Sequence, residues 1–110
     1  MSGSTGRNSD IISLRLAATF PAEAPRMFSI IGDEGQWPEV LSPRILKRHP
    51  STKVIAGLPD FSRPEFTIEP TVGGCEVALF HDLIKTEEDR KAYRKIWKAW
   101  LKSLEKRVSQ

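Results

Sequence analysis

The segment from Thr86 to Val108 constrains the fold more than any other part of the chain. Its large apolar residues recur every three or four positions, at Tyr93, Trp97, Trp100, Leu104 and Val108. This spacing places them along one side of an α-helix and leaves charged residues on the other side. Such a helix is about 34 Å long. Its aromatic stripe has to be buried, so the sequence predicts that the helix covers a second layer of structure.

The charges of this segment follow the polarity of a helix. Thr86 can cap the helix by accepting a hydrogen bond from an amide of the first turn, and Asp89 lies three residues later as a capping-box-like partner. Glu87, Glu88 and Asp89 place negative charge at the positive end of the helix dipole, and basic residues follow toward the other end. We interpret these basic residues as a solvated face.

The whole chain carries 17 Lys and Arg against 14 Asp and Glu, which gives a net charge of +3. Neither a zinc-finger spacing nor an aromatic RNA-binding motif accompanies this charge. We therefore expect no nucleic-acid partner.

Alternating apolar and polar residues predict the strands of the second layer. In the first stretch, from Asp10 to Phe20, one face carries Ile12, Leu14, Leu16 and Ala18. Later, Phe66 and Ile68 share a face before the "VGG" turn. After that turn, one face carries Cys75, Val77, Leu79 and His81. A Gly-rich turn between two such stretches predicts an antiparallel hairpin.

Between these stretches the periodicity changes. Met27, Phe28, Ile30 and Ile31 form an apolar patch typical of a short helix, with Pro25 in its first turn. "SPRILKRHP" and "TKVIAGLPD" then predict two short strands joined by a turn. Successive strands without intervening helices favour an antiparallel meander. The predicted class is α+β: a curved antiparallel sheet of about five to six strands, a short N-terminal helix, and a long C-terminal helix across its concave face.

Three stretches together resemble the START-like, or SRPBCC, superfamily with its helix-grip fold. They are "LRLAATFPAEAPRMFSIIGDEGQWPEVLSPRIL", "RPEFTIEPTVGGCEVALFHDLI" and "TEEDRKAYRKIWKAWLKSLEKRV". Within the superfamily they are most similar to the homologues of the heat-shock-protein ATPase activators. The resemblance covers most of residues 10 to 108. We therefore expect residues 1–9 to be a disordered tail and residues 10–110 to be a single START-like domain.

The resemblance implies a cavity for a hydrophobic small molecule between the C-terminal helix and the sheet, of about 300 Å³ or more. The residues placed to line this cavity are Phe66, Ile68, Val77, Leu79, His81, Tyr93, Trp97 and Trp100. The alternative is that these side chains simply pack against one another. The region from Pro43 to Pro59 is shorter than in the family, which implies a narrower sheet. Ile96 replaces the family's usual Gly before the tryptophan.

Little in the chain indicates catalysis. His81 could act as a general base, although a hydrogen-bonded structural histidine is the alternative. Asp60 and Asp82 are isolated in the sequence, and Cys75 has no neighbouring base. His49, His81 and Cys75 lack metal-ligand spacing. We name no catalytic residue and expect no metal or cofactor, so an enzyme ranks third among the functional hypotheses.

Two binding functions remain. The first is non-catalytic binding of a hydrophobic small molecule in the predicted cavity. The second is a protein-interaction domain, resembling a chaperone cofactor, that uses the basic helix face or an exposed aromatic residue such as Trp37 or Phe61 to bind a protein partner or a second copy of the chain. The single cysteine is typical of a reducing compartment, and no run of about 18 apolar residues is present. We expect a cytoplasmic location and no membrane partner.

Overall fold

One antiparallel sheet and two helices form the structure, a computed structural model that describes residues 12–108. The strands are β1 (Ile12–Phe20), β2 (Arg44–His49), β3 (Lys53–Gly57), β4 (Arg63–Thr71) and β5 (Gly74–Ile84). The helices are α1 (Ala24–Ile31) and α2 (Glu87–Val108), and two 3₁₀ turns lie at Glu34–Gln36 and Glu39–Leu41. The predicted α+β class is confirmed, with five strands. The tail predicted for residues 1–9 lies outside the described residues.

The strand order across the sheet is β1-β5-β4-β3-β2, and all pairs are antiparallel. The predicted hairpin is confirmed: Phe66 lies opposite Leu79, and Ile68 lies opposite Val77. These four residues are buried on one face. The turn between β4 and β5 contains Gly73 with a φ of +86°, a left-handed conformation that glycine adopts without strain.

Prolines are tolerated in this sheet because pairing with β3 is short. β4 is a central strand, yet it contains Pro64 and Pro70. β3 pairs with β4 only from Glu65 to Thr67. Both prolines therefore lie outside the part of β4 that has a neighbour on each side, where a missing amide hydrogen would break a ladder bond.

Helix α2 packs on the sheet through the stripe predicted from its sequence. Trp97, Trp100, Leu101, Leu104 and Val108 are buried, and α2 contacts mainly β1 and β5. The predicted cap is also present, since the amide of Asp89 donates a 3.0 Å hydrogen bond to Oγ1 of Thr86. α1 adds Met27 and Ile31 to the same core.

Candidate functional site

The predicted cavity residues lie together between α2 and the sheet. Seven of them are buried: Phe66, Ile68, Val77, Leu79, His81, Trp97 and Trp100. Tyr93 is half-buried and packs against this core. Their contact with a ligand stays a prediction.

Aromatic rings occupy the space beneath the middle of α2. The ring centroids of Phe66 and Trp97 are 5.3 Å apart, and those of Trp97 and Trp100 are 5.6 Å apart. Trp37 completes the cluster, with centroid distances of 5.3 Å to Phe66 and 5.6 Å to each of the other two tryptophans. Four of these ring pairs meet edge to face, and the pair Trp37–Trp100 is tilted at 46°. Side chains therefore fill this part of the helix–sheet junction.

Trp37 reaches the cluster from the loop after α1. It is only 4% exposed, and its Nε1 donates a 2.7 Å hydrogen bond to the carbonyl of Ile31. The prediction of Trp37 as an exposed aromatic residue is therefore wrong. The two 3₁₀ turns on either side of Trp37 fold this loop back over the core. The segment is too short for a periodic pattern that would predict the burial of Trp37.

A chain of hydrogen bonds connects His81 to the loop between β3 and β4. Nε1 of Trp97 donates to Nδ1 of His81 at 3.0 Å. Nε2 of His81 lies 2.9 Å from Oγ of Ser62, and that hydroxyl donates to Oδ1 of Asp60 at 2.6 Å. The hydroxyl of Tyr93 donates to the other carboxylate oxygen of Asp60. We call Asp60, Ser62, His81, Tyr93 and Trp97 the polar network.

The direction of these bonds fixes the histidine tautomer. Nδ1 of His81 accepts a hydrogen from Trp97, so the ring proton is on Nε2. Nε2 therefore donates to Ser62, whose own hydrogen points to Asp60. In a catalytic Ser-His-Asp triad the histidine instead accepts the hydroxyl proton. His81 in this state cannot deprotonate Ser62, so the geometry is that of a structural histidine.

The electrostatics of the network agree with this assignment. Burial lowers the pKa of His81 to about 4, against the smaller opposing effects of Asp60 and Asp82. Burial also raises the pKa of Tyr93 to about 12, helped by its hydrogen bond to Asp60. For Asp60, burial acts to raise the pKa, but hydrogen bonds from Ser62 and Tyr93 and the charge of Lys85 bring it below its ordinary value. At neutral pH the network holds one charge, on Asp60.

Sequence reasoning treated Asp60 as isolated and did not consider Ser62. The signal was present in the triplet "DFS", because an aspartate commonly bonds the backbone two residues later. The amide of Ser62 does donate to Oδ1 of Asp60, at 2.9 Å. The same turn exposes the intervening residue, Phe61.

In the described part of the chain, the remaining reactive side chains form no second cluster. Cys75 is buried, and burial raises the pKa of its thiol. Among residues 12–108, His, Cys, Asp and Glu side chains form no cluster that could hold a metal ion.

A groove remains open where α2 passes the outer edge of β1, at the end of the described strand order. It has a volume of about 220 Å³. We call it the edge groove, and its lining residues are Leu16, Ala17, Ala18, Thr19, Phe20, Lys98, Leu101, Lys102 and Glu105. Phe20 and Leu101 belong to the core. The edge groove is thus an opening in the apolar junction between helix and sheet, although it is smaller than the predicted cavity.

A wider depression of about 500 Å³ lies on the opposite face of the sheet. Ala17, Ala78 and Thr67 are register neighbours across β1, β5 and β4, and their small side chains leave this space. Arg15 stacks over the ring of Phe80 at 4.4 Å beside it. This outer depression is open to solvent and is not covered by α2.

Two exposed apolar residues lie at the same end of the sheet. Phe61 is 82% exposed and Leu83 is 43% exposed. Both have left-handed backbone conformations, with φ of 70° and 61°. Phe61 precedes β4 and Leu83 lies near the end of β5, so antiparallel pairing brings them to the same end. We call this pair the apolar tip.

No family model matches the sequence, and no curated protein matches it. Solved structures do match the fold. An AHSA1-like protein from Rhizobium etli superposes with a TM-score of 0.66 at 14% identity, over 83% of this chain and 78% of that one. The chain has an AHSA1-like helix-grip fold.

Two further structures have the same architecture. A protein from Chromobacterium violaceum matches with a TM-score of 0.68 at 14% identity, over 89% of this chain and 97% of that one. An uncharacterised protein from Rhizobium leguminosarum matches with a TM-score of 0.66 at 11% identity, over 87% and 93%. At these identities the likeness shows the fold alone. Within residues 12–108, neither helix combines the length and apolar character that a membrane span requires.

Proposed function

We propose that this chain is a START-like domain that binds a hydrophobic small molecule without catalysing a reaction on it. The binding site is the edge groove, at the junction of α2 with β1. The observation that carries the proposal is the apolar floor of this groove, which is continuous with the core through Phe20 and Leu101. Binding sites of small apolar molecules are concave and mainly apolar in the same way.

The packing of the junction favours this location over the centre of the domain. Trp37, Phe66, Trp97 and Trp100 fill the space under the middle of α2. A ligand there would have to displace large rings from a close-packed interior, which is costly. The edge groove needs no such displacement, because β1 lies at the end of the described strand order.

The polar network supports a binding function without catalysis. Both ring nitrogens of His81 are engaged, and its low pKa keeps it neutral at physiological pH. No buried side-chain nitrogen or oxygen among the described residues lacks a hydrogen-bond partner. The network is therefore satisfied by the protein itself and does not need a substrate to complete it.

An NMR titration with 1-octanol, a neutral apolar probe, tests this proposal. We expect backbone amide shifts in Leu16–Phe20 and around Leu101, and loss of these shifts in an Ala18→Leu variant that fills the groove. Ala78→Leu is the matched control, because it makes the same change in the outer depression. Absence of octanol shifts in β1, or their loss in the control variant alone, would contradict the proposal.

The apolar tip favours a second candidate, a protein-interaction domain. Large apolar side chains held outward by a strained backbone are typical of functional sites, since strain of about 1–3 kcal/mol is retained only where the structure enforces it. The AHSA1-like fold adds an analogy with a chaperone cofactor, which is fold-level analogy alone. On this candidate the tip contacts a protein partner or a second copy of the chain.

Sedimentation measurements over a range of protein concentrations test self-association through the tip. We expect any dimer to be weakened by Phe61→Ser. Val72→Ser is the control, because Val72 is fully exposed in the β4–β5 turn at the opposite end of the sheet. A strict monomer at all concentrations would exclude the second copy as the occupant of the tip.

A further inference from the structure

We infer that the edge groove selects small amphiphiles with an anionic head group over neutral or cationic ones of the same length. This inference rests on the proposed function and names the chemical class of its ligand. It follows from the division of the groove into an apolar floor and a basic rim.

The floor is supplied by the inward side of β1 and by α2. Leu16, Ala18 and Phe20 alternate along the strand on the side that faces the core, and Leu101 projects from the helix. The short side chain of Ala18 lies between two larger neighbours. A larger residue at that position would occupy the groove, so the opening depends on this alanine.

The rim is supplied by Lys98 and Lys102, which lie one turn apart on α2 and are both exposed. Residues four apart on a helix are neighbours on its surface. Within the described part of the chain, neither lysine takes part in an ion pair. Two basic residues therefore border the same opening.

Glu105 lines the groove one turn beyond Lys102 and places a carboxylate at that end. The net charge of the three rim residues is +1. An anionic head group is consequently favoured beside Lys98 and Lys102, with the apolar body directed toward Phe20 and Leu101. β1 lies at the end of the described strand order, and its outer backbone edge offers both donors and acceptors, so it does not select a sign of charge.

The volume of the groove sets the size of the apolar body. A water molecule takes up about 30 Å³ of liquid volume, and a methylene group is of similar size. A groove of about 220 Å³ therefore holds a chain of roughly seven carbons. Octanoate is a suitable probe, because its seven carbons beyond the carboxylate match this length.

The test compares three probes of equal length: octanoate, 1-octanol and octylammonium, each below its micelle concentration at low salt. We expect octanoate to bind about 1.5-fold to fivefold more tightly than octanol, the range given by an exposed ion pair. Octylammonium should bind most weakly. Added sodium chloride should weaken the binding of octanoate and leave that of octanol unchanged, because salt screens exposed charges.

Variants test whether Lys98 and Lys102 cause the preference for an anionic head group. In the double variant Lys98→Gln/Lys102→Gln we expect octanoate to bind no better than octanol. Lys91→Gln/Lys95→Gln is the matched control, because these lysines are exposed on the same helix but do not line the groove. Ala18→Leu should abolish binding of all three probes.

The outcomes separate the two proposals. If 1-octanol, the neutral probe, does not shift the β1 amides, the proposed function fails. If octanol and octylammonium bind there with the same affinity as octanoate, the groove is a ligand site but the inferred anion preference is wrong. Retention of the preference in Lys98→Gln/Lys102→Gln would also overturn the inference.

Discussion

The indole N–H of Trp97 donates a 3.0 Å hydrogen bond to Nδ1 of His81 in the interior of the domain. This bond joins the aromatic stripe of α2 to the last strand of the sheet. It also fixes the proton of His81 on Nε2, which directs that nitrogen to Ser62. The helix is thus held on the sheet by a directional contact as well as by apolar packing.

Removal of the indole N–H of Trp97 should lower the free energy of unfolding more than removal of an equivalent indole N–H elsewhere on α2. Trp97→Phe leaves Nδ1 of His81 buried without a partner, which costs about 1–3 kcal/mol beyond the lost packing. Trp100→Phe makes the same truncation, but its acceptor, the carbonyl of Gln36, keeps a contact from Arg107 at 3.4 Å. In urea denaturation we expect Trp97→Phe to be the less stable variant. Equal losses of stability in the two variants would show that the hydrogen bond to His81 contributes no stability beyond that of packing.

Acid should destabilise the domain through His81. Burial lowers the pKa of His81 to about 4 in the folded state, whereas an unfolded histidine has a pKa of about 6.5. Between these values the unfolded chain binds a proton that the folded chain does not, so the free energy of unfolding falls as pH decreases from about 6.5 to about 4. The difference corresponds to about 3 kcal/mol.

Denaturation midpoints at several pH values check this dependence. The His81→Gln variant should be less stable at neutral pH and show a flatter pH profile. His49→Gln is the control, because His49 is the only other histidine of the chain, and it should retain the slope of the parent protein. A steep profile that survives in His81→Gln would assign acid sensitivity to other groups.

The pKa of Tyr93 should lie above its ordinary value, and Asp60 should account for part of this increase. Burial raises the pKa of Tyr93 to about 12, and the hydrogen bond to Asp60 adds to it. Because the folded value exceeds the unfolded one of about 10, the free energy of unfolding falls as pH rises between them. The chain has one tyrosine, so the pH-dependent change in near-ultraviolet absorbance that accompanies tyrosinate formation reports Tyr93 alone.

In Asp60→Asn we expect the titration midpoint of Tyr93 to move down toward its ordinary value but not to reach it, because burial is the larger cause. Asp82→Asn should leave the midpoint in place, since Asp82 does not act on Tyr93. A midpoint unchanged by Asp60→Asn would mean that burial alone determines the pKa of Tyr93.

Two adjacent glycines should respond differently to alanine. A Cβ at Gly74 would lie 2.0 Å from the carbonyl oxygen of Phe20, so the contact between β1 and β5 would have to open. A Cβ at Gly73 would meet no atom within 4 Å, and its cost comes from the φ of +86° alone, about 1 kcal/mol. Thermal denaturation should show a larger loss for Gly74→Ala, and the reverse order would contradict the close approach of Phe20.

Local patterns in the sequence predicted most of the architecture. The spacing from Tyr93 to Val108 indicated α2 and its buried side, and Thr86 indicated where it begins. Alternation around the "VGG" turn indicated the β4–β5 hairpin and the side on which Phe66 and Leu79 meet. These features depend on backbone periods of a few residues, which are visible in a single segment.

Only the tertiary structure decided what fills the junction between helix and sheet. Trp37 enters the core from a loop, and Asp60 and Ser62 reach His81 from a turn 19 residues or more away along the chain. The edge groove exists because β1 lies at the end of the strand order while Lys98 and Leu101 pass beside it. The sequence by itself determined the elements and their buried faces, because these follow from local backbone geometry. The filled centre of the helix–sheet junction and the open groove at its edge follow from how distant segments pack. Sequence periodicity does not predict such packing.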